Sequence, residues 1–319
     1  MNVQTIGAAR LRENVGLEDM LDPVSRALQA TSAGNAKTGL VVMYPHPDRA
    51  RGDVLVKTGT VAGSAIHIIK VSPWFAANVE RGMPQGGFVA VMDSETGHTL
   101  ALLHDEHYLS DIRTAAAGAL AARILAPRVV RTAGVLGAGV QAWWQAIALY
   151  RERPFVELLL WARDGAKTAL LAAKLERELR DVDVQVLDDR ETVVRRSDVL
   201  VTATAAREPI VRGDWLHAGQ HITAVGADDA TKCELDSAVL RRATVFVDGI
   251  GEATAHGDVR RAIDAGSYEA RHLRGELGAV LAGTLPGRTS DDEITVAKLV
   301  GVGAQDIAAA LVAITKCRN

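Results

Sequence analysis

The sequence lacks several features that mark specialised classes of protein. No apolar run reaches about 18 residues, the length of a membrane-spanning helix, and the first residues carry no signal-peptide pattern. The net charge is −3, so no basic surface indicates nucleic acid. The two cysteines, Cys233 and Cys317, do not have metal-ligand spacing, and Cys233 is interpreted as a small loop residue. We therefore expect a cytoplasmic protein in a reducing compartment, with no membrane, nucleic-acid or metal partner.

The first hundred residues predict a largely antiparallel sheet. Five strand-like runs are separated by turn signals such as Pro45-His46-Pro47-Asp48. The runs are 39–44, 54–58, 66–71, 88–93 and 99–103. An alanine-rich helix is predicted next, from Asp111 to Ala126, with Ser110 as its N-cap and Pro127 as its stop.

Strands and helices alternate from residue 132 onward. The predicted elements are 132–136, 140–150, 156–161, 165–180, 183–187, 190–196, 198–203, 221–225 and 244–247, followed by a helix-rich segment at 290–316. This alternation predicts an α/β fold class, a Rossmann doubly wound parallel sheet with an α+β substrate-binding and dimerisation domain. We assign residues 116–289 to the dinucleotide-binding domain. Residues 1–115 with 290–319 are assigned to the substrate-binding and dimerisation domain.

A glycine-rich turn at 137–142 is the strongest functional signal. Its residues are Gly137, Ala138, Gly139, Val140, Gln141 and Ala142. The first glycine permits a tight turn, the second lets a pyrophosphate approach the backbone, and Ala142 permits close packing of helix on strand. The helix N-terminus offers N–H groups to phosphate. This pattern, between two apolar runs, predicts a nicotinamide dinucleotide site.

The end of the second strand of this unit normally selects the cofactor. Here it reads Trp161-Ala162-Arg163-Asp164. Ala162 cannot bind a ribose hydroxyl and Arg163 can pair with a 2′-phosphate, which favours NADP(H) over NAD(H). Asp164 could instead be the acid that binds the ribose hydroxyls, so NAD(H) remains the alternative cofactor.

Three cations in the first domain indicate an anionic ligand. Arg113 lies near the start of the long helix, where the helix dipole favours a bound anion. The alternative interpretation is that Arg113 is a surface residue paired with Asp111. Lys70 and Lys57 lie in apolar strands, where a lysine needs a partner or water. Together they favour a ligand that carries a carboxylate.

A carboxylate follows the predicted strand at 221–225. Asp228 lies just beyond its carboxyl end, where open α/β sheets bind ligands, and it could act as general acid or base. Lys232 could pair with it or face the cofactor. The alternative interpretation is that Asp228 and Asp229 belong to an ordinary polar loop without a catalytic role.

These motifs together resemble the ornithine cyclodeaminase/μ-crystallin family over nearly the whole chain. The matching segments are Lys70…Asn78, Asp111-Ile112-Arg113-Thr114-Ala115-Ala116, Gly137-Ala138-Gly139-Val140-Gln141, Thr202-Ala203-Thr204, Val225-Gly226-Ala227-Asp228…Lys232-Cys233-Glu234-Leu235-Asp236 and Gly278…Gly283-Thr284…Pro286-Gly287-Arg288. The segments 56–59 and 69–73 are most similar to the ectoine-utilisation branch.

The resemblance implies a homodimer that transfers a hydride at the α carbon of a small amino or imino acid. Lys70 and Arg113 would hold the substrate carboxylate, with Asn78 nearby, and Asp228 would move the proton. The residues that would line the cofactor are Val140, Gln141, Thr204, Val225, Lys232 and Leu299, in addition to the glycine turn and Arg163.

The chain also departs from the family pattern. Ornithine cyclodeaminases have a glutamate at the position of Lys57, and an ammonium there disfavours a cationic substrate such as ornithine. The family's N-terminal substrate-binding arginine has three candidates here, His46, Arg49 and Arg51. Ala297 and Leu299 replace a Phe and a Ser beside the nicotinamide, which predicts a roomier, less polar wall.

The favoured function is an NAD(P)-dependent imine reductase or amino-acid dehydrogenase. One alternative is a cyclodeaminase, an ammonia-lyase that uses NAD⁺ catalytically on a diamino acid. Another is a non-enzymatic binding protein like μ-crystallin.

Overall fold

The computed structural model describes residues 3–48 and 51–317. The chain divides into two compact units, Met1–Ala116 with Val302–Asn319, and Ala117–Gly301. Within the described residues, none of the helices is both long and apolar enough to cross a membrane.

The first unit contains a six-stranded sheet. Its strands are β1 (Gln4–Gly7), β2 (Ala36–Met43), β3 (Gly52–Val61), β4 (Ile66–Phe75), β5 (Phe88–Asp93) and β6 (Thr99–His104). They lie in the order β1-β6-β5-β4-β3-β2, and all pairs are antiparallel except β1 with β6. The five predicted strands are present, whereas β1 was not predicted.

The first unit also contains helices. They are α1 (Ala8–Asn14), α2 (Glu18–Ser32), α3 (Ala76–Glu80), the first half of α4 (Tyr108–Leu125) and α12 (Gly303–Lys316). Helix α12 packs on β2, β3, β4 and α2. Gly59 is needed at this contact, because a Cβ there would lie 2.9 Å from the carbonyl oxygen of Gly303.

The predicted start of α4 was wrong. The helix begins at Tyr108, and the carboxylate of Asp105 accepts a hydrogen bond from the Leu109 N–H at 3.1 Å. Ser110 therefore lies in the first turn instead of capping it. Both Asp105 and Ser110 are good capping residues, so the sequence pattern did not separate them.

The second unit is built on an eight-stranded parallel sheet. Its strands are β7 (Thr132–Leu136), β8 (Glu157–Trp161), β9 (Asp183–Val186), β10 (Val199–Thr202), β11 (His221–Ala224), β12 (Thr244–Val247), β13 (Gly275–Glu276) and β14 (Thr295–Lys298). The order is β13-β12-β14-β11-β10-β7-β8-β9. The run β9-β8-β7-β10-β11 is the 3-2-1-4-5 order of a Rossmann sheet, which confirms the predicted α/β fold class.

The helices of this unit, besides the second half of α4, connect its strands. They are α5 (Val140–Glu152), α6 (Gly165–Glu178), α7 (Arg190–Arg196), α8 (Ser237–Arg242), α9 (Ile250–Ala255), α10 (Gly257–Asp264) and α11 (Leu277–Leu281). Two apolar clusters fill the unit, one around Val135 and Leu160 and one around Leu200 and Val245.

The segment 290–301 differs from the prediction, which placed it in the first domain as part of a helix-rich stretch. It belongs to the second unit, because β14 pairs with β11 on one side and β12 on the other. A four-residue strand buried on both sides gives no periodic pattern that separates it from the start of a helix.

Candidate functional site

A buried cluster of charges lies where α12 packs on the first sheet. The Lys70 ammonium is 3.2 Å from Oδ1 of Asp306 and also donates to the Ser110 hydroxyl. The Arg113 Nε donates to the same Asp306 oxygen at 3.2 Å, and its Nη1 donates to Gln305 Oε1 at 2.7 Å. Arg113 and Lys70 are each only 7% exposed, so Arg113 is not the surface arginine of the alternative interpretation.

Three elements bring these groups together. Lys70 comes from β4, Ser110 and Arg113 lie three residues apart on α4, and Asp306 comes from the first turn of α12. Burial opposes ionisation of Asp306, but Arg113 and Lys70 hold its pKa well below the usual range. Asp306 is therefore a carboxylate at neutral pH. It is the anionic partner that both buried cations, Lys70 and Arg113, require.

Lys57 belongs to the same neighbourhood. It is the direct cross-strand partner of Lys70 in the β3–β4 pair, so both side chains leave the same face of the sheet. Its charge also contributes to lowering the pKa of Asp306. The sequence thus singled out the three cations that the structure brings together, but not the carboxylate of Asp306 beside them.

The cluster has further hydrogen-bonding capacity. Asp306 Oδ2 and Gln305 Nε2 are buried and have no hydrogen-bond partner among the described residues. Gln305 is fully buried and its Oε1 already accepts from Arg113, which leaves Nε2 as a donor. Sequence reasoning missed both residues, although a Gln-Asp pair inside the apolar start of α12 is an anomalous pattern.

Other predicted substrate residues lie in different surroundings. Asn78, on α3, donates to Gln85 Oε1 at 3.3 Å. His46 Nε2 is 2.8 Å from Arg51 Nη1 on the exposed loop after β2. Arg49, the third candidate, lies outside the described residues.

The glycine turn in the second unit has the geometry of a phosphate cradle. Gly137 has φ +134°, and a Cβ there would lie 2.4 Å from the Ala203 carbonyl oxygen. Gly139 is the N-cap of α5, and a Cβ on it would meet nothing within 4 Å, so its backbone faces open space. A pyrophosphate fits this arrangement, because the backbone can be approached at the N-terminus of a 13-residue helix.

The flanking residues of the turn are distributed as a cofactor site requires. Ala142 is fully buried against the sheet, whereas Val140 is 55% exposed beside Gly139. Ala138 is partly buried against the apolar cluster around Val135, and Gln141 lies one residue further along α5. The open side of the turn is thus formed by Gly139 and Val140.

The end of β8 separates the roles of Arg163 and Asp164. Asp164 caps α6, accepting a hydrogen bond from the Lys167 N–H at 3.1 Å, and this bond is the main reason its pKa lies below the usual value. Arg163 is exposed beside it. The Asp164 carboxylate is therefore used as the N-cap of α6, whereas the Arg163 guanidinium is exposed on the surface.

Asp228 lies four residues beyond β11 and forms an ion pair with Lys232. The Lys232 Nζ is 2.6 Å from Asp228 Oδ1 and 3.4 Å from Asp229 Oδ2. Burial opposes the charge of Lys232, but Asp228 raises the pKa of Lys232 to about 12, with help from Asp229. The Asp228 side chain is half exposed, so it is accessible to a ligand.

Glu234 connects the loops that follow β10 and β11. Its carboxylate accepts hydrogen bonds from the backbone of Thr204, Gly226 and Ala227 and from the hydroxyls of Thr202 and Thr204. Burial raises its pKa, with Lys298 opposing. Glu234 thus fixes Thr204 and the backbone between Val225 and Asp228, a positioning role that the sequence did not reveal.

A second layer of buried charge supports this loop. Asp258 accepts from the N–H groups of Glu234 and Leu235, and it lies 3.2 Å from the fully buried Lys298 Nζ. Asp248 accepts from the N–H groups of Val300 and Gly301 just past β14.

The remaining predicted cofactor residues are buried at the same strand ends. Val225 is 7% and Leu299 3% exposed, and the Leu299 N–H donates to the Ala224 carbonyl at 2.9 Å. Ala297 is inside β14 and fully buried. Cys233 was interpreted as a small loop residue; it is buried, and burial raises the pKa of its thiol to about 12, so the thiol is not activated for reaction.

The fold and these residues define the class of protein, a Rossmann-type α/β protein with a phosphate cradle in one unit and a cationic cluster in the other. The chain belongs to the ornithine cyclodeaminase/mu-crystallin family, whose profile matches residues 4–318. It is 39% identical to an uncharacterized cyclodeaminase of Sinorhizobium fredii, over 100% of this chain and 96% of that protein.

Two solved structures are similar over almost the whole chain. One is the Δ1-pyrroline-2-carboxylate reductase of Thermococcus litoralis in complex with NADH and L-proline, with a TM-score of 0.92, 27% identity, and coverage of 98% of this chain and 97% of that one. The other is an archaeal alanine dehydrogenase dimer with bound NAD, with a TM-score of 0.91, 27% identity, and coverage of 99% and 96%. They confirm the predicted family and the predicted class of NAD(P)-dependent oxidoreductases, to which cyclodeaminases are also related.

Proposed function

We propose that this chain transfers a hydride between a nicotinamide cofactor and the α carbon of a small amino or imino acid. The observation that carries the proposal is the buried cluster in which Lys70 and Arg113 share one carboxylate, Asp306. These three groups contain one more cation than anion, which suits a substrate carboxylate. The family membership and the phosphate cradle at Gly137–Val140 supply the cofactor half of the argument.

Each residue has a defined role in this reaction. Lys70 and Arg113 bind the substrate carboxylate, and Gln305 Nε2 is a further donor within the cluster. Asp228 moves a proton at the amine or imine nitrogen, and Lys232 holds its carboxylate in place at 2.6 Å. A bound nicotinamide supplies or accepts the hydride at C4. Thr204, Val225 and Leu299, at the strand ends, would line the site of a bound cofactor.

NADP(H) is the proposed cofactor in preference to NAD(H). Asp164 is occupied as the N-cap of α6, whereas Arg163 is exposed at the end of β8. A 2′-phosphate would pair with the guanidinium. The two similar structures contain NADH and NAD, so the preference is specific to this chain's strand end.

Lys57 is proposed to select the substrate side chain. It lies directly across from Lys70 on the same face, so a substrate with a second acidic or hydrogen-bond-accepting group is favoured over a diamino acid. Asn78 and one of His46, Arg49 or Arg51 are proposed to complete the pocket. We also retain as predictions a homodimer, a cytoplasmic location and the narrower relation to the ectoine-utilisation branch.

The test is turnover with a panel of α-keto acids plus ammonia or amines, followed by NAD(P)H absorbance. Asp228→Asn should lower kcat about 10²–10⁴-fold, while cofactor binding survives. Asp229→Asn is the matched control, because Asp229 also pairs with Lys232, and its turnover should stay near wild type. Turnover retained near the wild-type level in Asp228→Asn would refute the role of Asp228.

A cyclodeaminase is the second candidate, supported by the similarity to the Sinorhizobium fredii protein. The two functions differ in net cofactor consumption, because a cyclodeaminase returns its NAD⁺ unchanged. Ammonia release from ornithine, without turnover of any keto acid, would establish the lyase and exclude the reductase.

A further inference from the structure

The turn between β6 and α4 has an unusual backbone. Glu106 has φ +48° and His107 has φ +67°, and they are the two non-glycine residues with positive φ in the described part of the chain. Every other described residue in that region is glycine. Side chains with a Cβ are strained in this conformation, so two in succession need a compensating function.

The side chains of the two residues have different surroundings. Glu106 is exposed and pairs with Arg12 at 2.9 Å on the surface. His107 is partly buried, and its Nε2 lies 3.3 Å from the Ser72 hydroxyl, with a further hydrogen bond to the Pro73 backbone. The imidazole thus connects this turn to β4, whereas the carboxylate of Glu106 does not.

The contact lies next to the cationic cluster. Ser72 follows Lys70 by two residues on β4, so both side chains leave the same face of the strand. The turn itself leads directly into α4, which carries Ser110 and Arg113. Burial, and then the Lys70 ammonium, lower the pKa of His107, so the ring is a neutral hydrogen-bonding group at this place.

We infer that His107 is a positioning residue for the substrate carboxylate, because it fixes the end of β4 against the start of α4 and so sets the spacing of Lys70 from Ser110 and Arg113. This inference rests on the proposed function, in which Lys70 and Arg113 bind that carboxylate. It accounts for the presence of an imidazole at a position where glycine would be unstrained.

The test separates the imidazole from the backbone. His107→Gly removes the ring and suits the left-handed conformation, so the melting temperature should stay equal or rise. The KM for the best keto acid should nevertheless rise at least tenfold with kcat within threefold, and oxalate, a small planar carboxylate probe, should bind at least tenfold more weakly by calorimetry. Glu106→Gly is the matched control, because it relieves the same kind of strain and should leave KM and oxalate binding unchanged.

Two further variants distinguish positioning from general stability. His107→Asn should recover part of the oxalate affinity, because asparagine tolerates positive φ and retains a hydrogen-bonding amide. Ser72→Ala should weaken oxalate binding like His107→Gly, and the double variant should be no weaker than either alone.

The outcomes separate this inference from the proposed function. Oxalate affinity in His107→Gly equal to that of Glu106→Gly would overturn the role of His107, even if the enzyme reduces imines. Failure of wild-type protein to bind oxalate would overturn it as well. Absence of turnover with any keto acid, with oxalate affinity lost in His107→Gly and retained in Glu106→Gly, would overturn the reductase while retaining His107 as part of a carboxylate site.

Discussion

The two units arrange buried charge in opposite ways. In the first, the Asp306 carboxylate lies among Lys70, Arg113 and Lys57, and its pKa is lowered. In the second, the Lys298 ammonium lies beside Asp258, and burial raises the pKa values of Glu234 and Asp248, although the charge of Lys298 opposes this rise. One cluster is predominantly cationic and the other predominantly anionic.

The hydrogen bonds show what this difference means. Glu234, Asp258 and Asp248 accept backbone N–H groups from the loops after the strands, so their charges are used to hold the chain. Asp306 accepts only from side chains among the described residues, and the neighbouring Gln305 Nε2 is a buried donor without an acceptor there. One carboxylate oxygen in each cluster, Asp306 Oδ2 and Asp258 Oδ2, also has no hydrogen-bond partner among the described residues, but Asp258 Oδ2 lies 3.2 Å from Lys298 Nζ. We therefore interpret the second cluster as structural support and the first as a ligand site.

Removal of Asp306 should have the largest effect. Asp306→Ala leaves Lys70 and Arg113 buried without their shared carboxylate, and breaking a buried pair in this way costs about 3–5 kcal/mol of unfolding free energy. Oxalate should restore part of that loss, because it supplies the missing anion. Urea unfolding with and without oxalate measures both effects.

Asp19→Asn is the control in the same unit. Asp19 pairs with Lys316 at 2.6 Å near the surface, so losing this pair should cost about 0–1 kcal/mol without additional rescue by oxalate. A stabilisation by oxalate no larger in Asp306→Ala than in this control would contradict the ligand-site interpretation.

The lowered pKa of Asp306 also predicts a pH dependence. Its stabilising contribution is fully present above the unfolded-state value of about 3.8 and is lost as pH falls through the lower folded-state value. The difference in unfolding free energy between wild type and Asp306→Asn should therefore narrow below about pH 4. A difference that widens on acidification would show that the carboxylate is not stabilised by its cations.

Glu234→Gln should have a smaller effect in the second unit. The amide nitrogen would face backbone N–H donors, and one unsatisfied buried group costs about 1–3 kcal/mol. Oxalate should not reverse this loss, because a predominantly anionic cluster repels a dicarboxylate. Glu208→Gln, whose side chain is 80% exposed and pairs with Arg261, should cost about 0–1 kcal/mol. Rescue of Glu234→Gln by oxalate would remove the distinction between the clusters.

Local patterns predicted the parallel sheet well, since β7 and β12 have the predicted bounds and the glycine turn lies at the predicted helix start. Short elements were missed for a physical reason. Strands β1 and β14 have four residues each, and so short an apolar run is compatible with a strand, a loop or a helix start. Their identity depends on pairing with strands distant in sequence.

The candidate site shows the same limit. Lys70, Arg113 and Lys57 were recognisable because charged residues in apolar segments require an explanation. Their partner Asp306 is 236 residues from Lys70, so only the folded chain reveals the pair. Glu234 was overlooked because a single acid in a loop usually faces solvent, whereas here it is fully buried among hydrogen-bond donors.

Arg163→Ala should have the smallest effect of the substitutions proposed here. It extends the comparison of the two buried clusters to an exposed charge of the second unit. If Arg163 pairs with a 2′-phosphate, its loss should weaken NADPH binding about tenfold, or 1.4 kcal/mol, and leave NADH binding unchanged. Fluorescence titration of both cofactors measures the two affinities. Asp164→Ala is the adjacent control, because it removes the cap of α6 and should reduce stability without altering the ratio of affinities. Equal loss of NADPH and NADH binding in Arg163→Ala would exclude this arginine from cofactor selection and leave the second unit without an assigned cation for the 2′-phosphate.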